Sequence, residues 1–193
     1  SGVMLAVWGM AVHMPVKADL SYADSGGIAT VTTLGLTTTG SEWQRCPEGL
    51  AMASPYIECI APVGGGGAKK LTYQEALDAA AAIGGGWRIP TQEYLAATLT
   101  SAGGSPRTNT SIFPNTPTDE VFWSSTPPGL FPLSASMRMT VNFANGDQSA
   151  IRSISTGDTA YLRLVRPRAA DLNSVTVAAD GGGNVAGATA HTL

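Results

Sequence analysis

The sequence is poor in charged residues: Asp, Glu, Lys and Arg together make up only 13% of its 193 residues. That is about half the share usual in a soluble domain. Since helices need charge on their solvent faces, this composition favours the strands and loops of an extracellular β-rich protein. The net charge is −3, and no basic cluster exceeds Lys69-Lys70. Nucleic-acid binding, which requires a basic stripe to neutralise phosphates, is therefore not expected.

Histidine is almost absent, and this limits the chemistry of the chain. His13 and His191, the two that are present, lie near opposite chain ends. A Ser-His-Asp triad needs a histidine near its partners, and a zinc site normally needs four ligands, which these two distant histidines do not complete. The run 64–67 of glycines lacks the spacing of a phosphate-binding loop. The sequence predicts a protein that is not an enzyme and has no transition-metal site.

There are two cysteines, Cys46 and Cys59. They could form a redox or metal site, or a local structural disulfide. Their spacing is not that of a CxxC redox pair, and the further ligands that zinc needs are missing. We therefore predict a Cys46–Cys59 disulfide and an oxidising compartment.

The chain begins with an apolar run over residues 3–16. It is too short and too interrupted to span a bilayer as a helix. One interpretation is a signal peptide cleaved after Ala18. The other is a buried strand or helix, inserted for instance into a neighbouring subunit; the assembly residues would then be Val3, Leu5, Val7, Trp8, Met10 and Val12.

Local signals indicate both helices and strands. The pattern Thr72-x-x-Glu75 predicts a capped helix with an apolar face of Ala76, Leu77, Ala80 and Ile83, ended by glycines 84–86. A second helix is predicted after Pro90, with Thr91 as its N-cap and with Leu95 and Leu99 facing inward.

Strand signals dominate elsewhere. Residues 19–40 predict a hairpin turning at Gly26-Gly27, residues 122–166 predict a series of short strands, and residues 172–193 are again β-prone. Together the helix and strand signals predict an α+β fold.

Seven short motifs, in order, resemble the bacterial DUF1566 family, also called Lcl C-terminal domains. They are WQRC (43–46) with Gly49 and Cys59, YQEAL (73–77), WRIPT (87–91), FPNTP (113–117), FWSST (122–126), VNFANG (141–146) and YLRLVR (161–166). The resemblance implies a C-type-lectin-like fold, with two helices packed on short antiparallel strands, in secreted and surface proteins that include polysaccharide-binding adhesins. One departure is Tyr94, which interrupts the usual Glu-Leu pair.

The resemblance and the composition suggest a division of the chain into three parts. Residues 41–168 would form the family domain, residues 1–40 an apolar segment with a β-prone extension, and residues 169–193 a second β-prone extension. The family does not explain the two flanking parts.

Three groups of residues are candidate ligand sites. Arg88 could fork toward a carboxylate or sugar hydroxyl, or serve as a structural clamp. Trp123 beside Ser124 and Ser125 offers a ring face and hydroxyls suited to a sugar, or a buried strand. Oxygens of Asn142, Asn145, Asp147 and Asp158 could hold calcium, or simply shape turns.

We therefore expect an extracellular, non-enzymatic recognition or adhesion domain at a bacterial cell surface. Its loops between Gly103 and Pro132, rich in Ser, Thr, Asn and Pro, would bind a glycan or a protein. The alternative is a structural subunit of an extracellular filament or pilus that polymerises through its apolar N-terminal segment.

Overall fold

The computed structural model describes residues 20–32, 40–55, 57–101, 103–129 and 135–167. Along the chain the elements are β1 (Tyr22–Ser25), β2 (Ile28–Val31), β3 (Glu42–Gln44), β4 (Ala51–Met52), β5 (Cys59–Ile60), β6 (Lys70–Leu71), α1 (Tyr73–Ile83), α2 (Gln92–Ala97), β7 (Phe122–Trp123), β8 (Met137–Val141), β9 (Ile151–Ser153), β10 (Ala160–Tyr161) and β11 (Val165–Arg166).

The strands form three sheets within these described ranges. The first has the order β1-β2-β3-β11, the second β6-β10-β7-β8-β9, and β4 pairs with β5 alone. All pairings are antiparallel except that of β10 with β7. Strands β3 and β11 are far apart in the chain but neighbours in the sheet, where Trp43 is the register partner of Val165. The start and the end of the family motifs thus meet in one sheet.

The predicted α+β, C-type-lectin-like class is wrong for this chain. The structure is mostly β, with helices of 11 and 6 residues beside eleven described strands. The helix signals are strong but local. The Thr72 and Thr91 caps form as predicted, and α1 ends before Gly84, also as predicted; the φ of 66° at Gly84 favours glycine. The strands are two to five residues long, and those predicted within 19–40 and 122–166 are among them.

The predicted face of α1 is only partly correct. Tyr73, Ala76 and Ala80 are buried, but Leu77 and Ile83 are 42% and 47% exposed. In α2 the prediction is confirmed, because Leu95 lies in the core.

The hairpin of β1 and β2 turns at Gly26-Gly27, as predicted, with Ser25 opposite Ile28. Because β2 also pairs with β3, the hairpin belongs to the same sheet as the family motifs. The predicted division after residue 40 therefore separates strands that the structure joins. The predicted extension over 169–193 lies outside the described residues.

Two hydrophobic cores lie on opposite faces of the second sheet. Phe122 belongs to the first core and its neighbour Trp123 to the second, because successive strand residues point to opposite faces. The segment 160–165 alternates in the same way: Ala160, Leu162 and Leu164 enter the second core, and Tyr161 and Val165 the first. All six residues of this segment are buried.

Candidate functional site

The predicted aromatic site at residues 122–126 lies inside the protein. Trp123 is fully buried, donates from Nε1 to the carbonyl oxygen of Leu71 at 2.7 Å and packs edge-on against Tyr73. Ser124 is equally buried, and its hydroxyl donates to the carbonyl oxygen of Met139 at 2.6 Å. Neither side chain presents a surface to solvent, so both serve the packing of the sheet.

Ser125 and Arg88 lie nearer the surface. The backbone N–H and the hydroxyl of Ser125 both donate to the carbonyl oxygen of Pro90, at 2.8 and 3.3 Å. The backbone of Arg88 exchanges two hydrogen bonds with Val165, at 2.9 and 3.1 Å, while the residue as a whole is exposed. Arg88 thus extends the first sheet with its backbone and leaves its side chain at the surface.

The residues of the calcium hypothesis shape loops. Oδ1 of Asn142 accepts from the N–H of Ala144 at 2.8 Å, and Oδ1 of Asn145 accepts from the N–H of Asp147 at 2.9 Å. Oδ2 of Asp158 accepts from the N–H of Ser153 at 3.0 Å, in a different turn.

Asp147 has a similar role, since its Oδ1 accepts from the backbone N–H and the hydroxyl of Ser149, at 2.8 and 2.7 Å. The backbone N–H contributes most to lowering the pKa of Asp147, followed by the hydroxyl. Over the ranges that the structure describes, no three His, Cys, Asp or Glu side chains converge as metal ligands. Calcium binding stays a prediction.

Cys46 and Cys59 form the predicted disulfide, with their Cα atoms 5.6 Å apart. The backbone N–H of Cys59 also donates to Oδ1 of Asn115 at 2.9 Å. The disulfide loop is thereby attached to the FPNTP segment, of which Phe113 and Thr116 are buried. The six predicted assembly residues between Val3 and Val12 lie outside the described residues.

The side chain of Arg45 organises a region that the sequence patterns did not single out. The residue is 1% exposed, and its guanidinium donates four hydrogen bonds. Nε donates to the carbonyl oxygen of Ile112 at 2.9 Å, and Nη2 to that of Ser111 at 2.8 Å. Nη1 donates both to Oδ2 of Asp24 and to the carbonyl oxygen of Gly26, each at 3.1 Å. One buried cation therefore ties the β1–β2 turn to the 109–112 loop.

An open cleft of about 590 Å³ lies over this cation. Its walls come from the β1–β2 turn, the disulfide loop and the 109–112 loop, and it is lined by Asp24, Gly26, Arg45, Pro55, Ile57, Thr110 and Ser111. The side chain of Asp24 is 55% exposed, and Ile57 is 69% exposed. Of the ligand sites predicted from the sequence, only the loops between Gly103 and Pro132 contribute to this cleft, through Thr110 and Ser111. The WQRC motif indicates the family resemblance, and nothing in the sequence signals that its arginine is buried.

A second polar group lies at the surface beside the second sheet. Nζ of Lys70 donates to Oδ2 of Asp119 at 2.8 Å, and the hydroxyl of Tyr161 donates to Oδ1 at 2.9 Å. These two hydrogen bonds, that of Lys70 first, lower the pKa of Asp119. Burial, followed by the hydrogen bond to Asp119, raises the pKa of Tyr161. The arrangement is an ion-pair network that stabilises both charged partners.

These features define a disulfide-bonded, β-rich domain with its polar side chains largely engaged in the fold. The chain belongs to the Lcl C-terminal domain family, whose model matches residues 33–166. Membership indicates a surface-associated domain. Comparisons with curated proteins and with solved structures gave no significant match. Among the described residues, no helix has the length and apolar character needed to cross a membrane.

Proposed function

We propose that this chain is an extracellular, non-enzymatic recognition domain that acts in adhesion at a bacterial cell surface by binding a glycan or a protein. The observation that carries the proposal is the open cleft over Arg45, whose walls are held by a disulfide and by a buried cation. Loops fixed on a rigid scaffold are the usual place for binding sites. The disulfide fits an oxidising compartment.

The proposal that the chain is not an enzyme is supported by the hydrogen bonds that its polar side chains make within the fold. The hydroxyl of Ser124 is bonded to a backbone carbonyl, and the carboxylate of Asp147 accepts from Ser149. Lys70, Asp119 and Tyr161, whose pKa values are shifted, form a surface network of mutual partners. A general base needs a proton-accepting atom that faces a substrate, and these atoms face one another.

The test combines a binding screen with a deletion strain. Purified full chain is screened on a glycan array and on immobilised surface proteins, and a strain lacking the protein is assayed for surface attachment. We expect specific binding in the screen and reduced attachment of the deletion strain. No binding above background together with normal attachment would refute the proposal.

A second function, the filament subunit, is favoured by the position of β1. Among the described strands it is the terminal one of its sheet, and the apolar run at 3–16 precedes it in the chain. The opposite terminal strand, β11, has its outer side bonded to Arg88. A strand from a neighbouring subunit could extend the sheet at β1.

Deleting residues 1–18 tests the filament proposal. Electron microscopy of the native protein should show uniform filaments, and the shortened chain should stay folded but no longer polymerise. Filaments formed by the shortened chain would contradict assembly through the apolar segment.

A further inference from the structure

We infer that Asn145 is a site of spontaneous deamidation, and that the folded loop between β8 and β9 keeps this site closed. The inference is independent of the proposed recognition function. Asn145 is followed by Gly146, which has no Cβ atom to obstruct an attack on the asparagine side chain. The other asparagines in the described ranges are followed by Thr or Phe. Asn145 is therefore the position where this reaction meets the least steric hindrance.

The reaction joins the backbone nitrogen of Gly146 to Cγ of Asn145. The bond from Cγ to the side-chain nitrogen breaks, and ammonia leaves with the proton that the backbone nitrogen has lost. Water then opens the resulting succinimide ring at either of its carbonyl groups, which yields aspartate or isoaspartate. The net change converts asparagine and water to an acidic residue and ammonia, so no oxidant or reductant is needed.

The attacking nitrogen is engaged in the folded loop. The N–H of Gly146 donates to the carbonyl oxygen of Asn142 at 2.7 Å. The nitrogen attacks only after a base has removed its proton, and a hydrogen-bonded amide proton is exchanged only when the local structure opens. The same hydrogen bond therefore protects the N–H of Gly146 from exchange and the side chain of Asn145 from deamidation.

The side chain of Asn145 is held in place as well. Its Oδ1 accepts from the backbone N–H of Asp147 at 2.9 Å. The carbonyl oxygen of Asp147 in turn accepts from the N–H of Asn142 at 2.8 Å. Movement of Cγ toward the Gly146 nitrogen has to break the bond to Oδ1. Because Asn145 itself is exposed, water reaches the side chain as soon as the loop opens.

Arg107 closes the loop from outside. Its Nη1 donates to the carbonyl oxygen of Asn145 at 3.0 Å, and its backbone N–H donates to that of Phe143 at 2.7 Å. The guanidinium also lies against Gly146, where a Cβ atom would come within 3.1 Å of Nη1. Opening the loop thus separates Arg107 from the reacting peptide, and the contacts of this side chain stabilise the closed state.

Deamidation would prevent the loop from closing again. Isoaspartate adds a methylene group to the backbone, and either product places a new carboxylate near the exposed Asp147. We expect the longer backbone to lose the bonds of Gly146 and Asp147 to Asn142. The modification would therefore weaken the connection between β8 and β9 permanently.

The test follows deamidation in the purified full chain, in a mildly alkaline buffer with and without urea. Peptide mapping by mass spectrometry locates the product and measures its rate of formation. Arg107→Met removes the guanidinium from the loop, and Arg88→Met makes the same change at an exposed arginine elsewhere. Asn145→Gln removes the reacting asparagine and identifies any signal from other residues. Thermal unfolding establishes that each variant is folded in the buffer without urea.

We expect the folded wild type to deamidate at residue 145 about tenfold or more slowly than the chain in urea, because only the open fraction of the loop reacts. Hydrogen exchange at Gly146 should be slowed as well. Folded Arg107→Met should react severalfold faster than the folded wild type, and Arg88→Met should react as the wild type does. In urea all three chains should react at the same rate, since the loop contacts are lost there.

Three results would overturn the inference. Equal rates for the folded and the unfolded wild type would show that the loop gives no protection, and this comparison needs no variant to fold. A faster reaction in the folded wild type would show that the N–H of Asp147, by polarising Oδ1, promotes the attack. A rate in folded Arg107→Met equal to that of the wild type would refute the role assigned to Arg107. None of these results affects the recognition function.

Discussion

The guanidinium carbon of Arg163 lies 4.6 Å from the centroid of the Phe113 ring, inside the first core. The rings of Phe122 and Phe143 lie 5.4 and 5.9 Å from the same atom. Nη2 donates to Oγ1 of Thr116 at 2.9 Å, whereas Nε and Nη1 have no hydrogen-bond partner among the described residues. Burial lowers the pKa of Arg163 to about 9. At neutral pH the side chain is therefore still charged, and the cost of burying it is fully present.

Replacing this charge with an apolar side chain should not harm the fold. We expect Arg163→Met to leave the free energy of unfolding unchanged or to raise it by about 1–3 kcal/mol, as for other buried charges exchanged for apolar groups. Urea unfolding at pH 7 measures the change. The control Arg163→Ala leaves a cavity and should lose about 3 kcal/mol. A loss in Arg163→Met as large as in Arg163→Ala would contradict this account of the cation.

The same substitution at Arg45 should have the opposite effect. Arg45 is equally buried, but its donors are bonded to three backbone carbonyls and to Asp24. Arg45→Met leaves these acceptors without donors, so we expect a loss of about 3–5 kcal/mol in the free energy of unfolding. Unfolding curves of the two methionine variants, recorded side by side, measure the contrast. Equal changes in the free energy of unfolding would show that the hydrogen bonds of Arg45 do not make its replacement more costly than that of Arg163.

The disulfide should contribute strongly to stability. Its cysteines are 13 residues apart, and the loop-entropy model gives about 3 kcal/mol for a loop of this size. We expect the double variant Cys46→Ala/Cys59→Ala to lose this amount in urea unfolding. A reducing agent in the urea solutions should lower the free energy of unfolding of the wild type and leave that of the double variant unchanged. A variant as stable as the wild type would mean that the contact of Cys59 with Asn115 suffices to hold the loop.

Features that depend on a few adjacent residues could be predicted from the sequence. The caps at Thr72 and Thr91 and the turn at Gly26-Gly27 form within three or four residues, and all appear as expected. The disulfide was predictable as well, since the chain has two cysteines close together.

Features that depend on distant partners were not predictable. Arg45 bonds to a carbonyl 67 residues away, and Arg163 to a hydroxyl 47 residues away. In the sequence each is a charged residue in a short polar or alternating stretch, without a sign that it is buried. The aromatic and hydroxyl residues at 122–126 suggested a sugar site, but β7 has a core on both faces, so Trp123 packs inside. The cleft itself arises from three loops that no local pattern connects.

Trp123 should matter for stability and not for ligand binding. Trp123→Phe removes the Nε1 donor to the carbonyl oxygen of Leu71 and some packing against Tyr73. We expect a loss of about 2 kcal/mol in the free energy of unfolding, with affinity for any glycan unchanged below the unfolding transition. The control Trp87→Phe, at a half-buried position under Arg166, should lose less. Loss of glycan binding by the folded Trp123→Phe protein would contradict a purely internal role.

The start of α1 should make stability depend on acidic pH. Oε2 of Glu75 accepts from the backbone N–H of Thr72 at 2.7 Å and from its hydroxyl at 2.9 Å. These hydrogen bonds, the backbone one first, lower the pKa of Glu75 below its usual value of 4.5. The unfolded chain therefore binds this proton more readily, and the contribution of Glu75 is present above pH 4.5 and lost as pH falls through the lowered pKa.

Glu75→Gln should accordingly be less stable than the wild type at pH 7, with a difference that shrinks toward pH 3 because the wild-type carboxylate is then protonated. Thr72→Ala, which removes the capping hydroxyl, should cost about 1 kcal/mol at pH 7. Thermal unfolding across this pH range measures both effects. Glu58→Gln, an exposed glutamate outside the helices, is the matched control and should follow the wild-type curve. A constant difference between Glu75→Gln and the wild type at every pH would show that the carboxylate charge is not what stabilises the helix start.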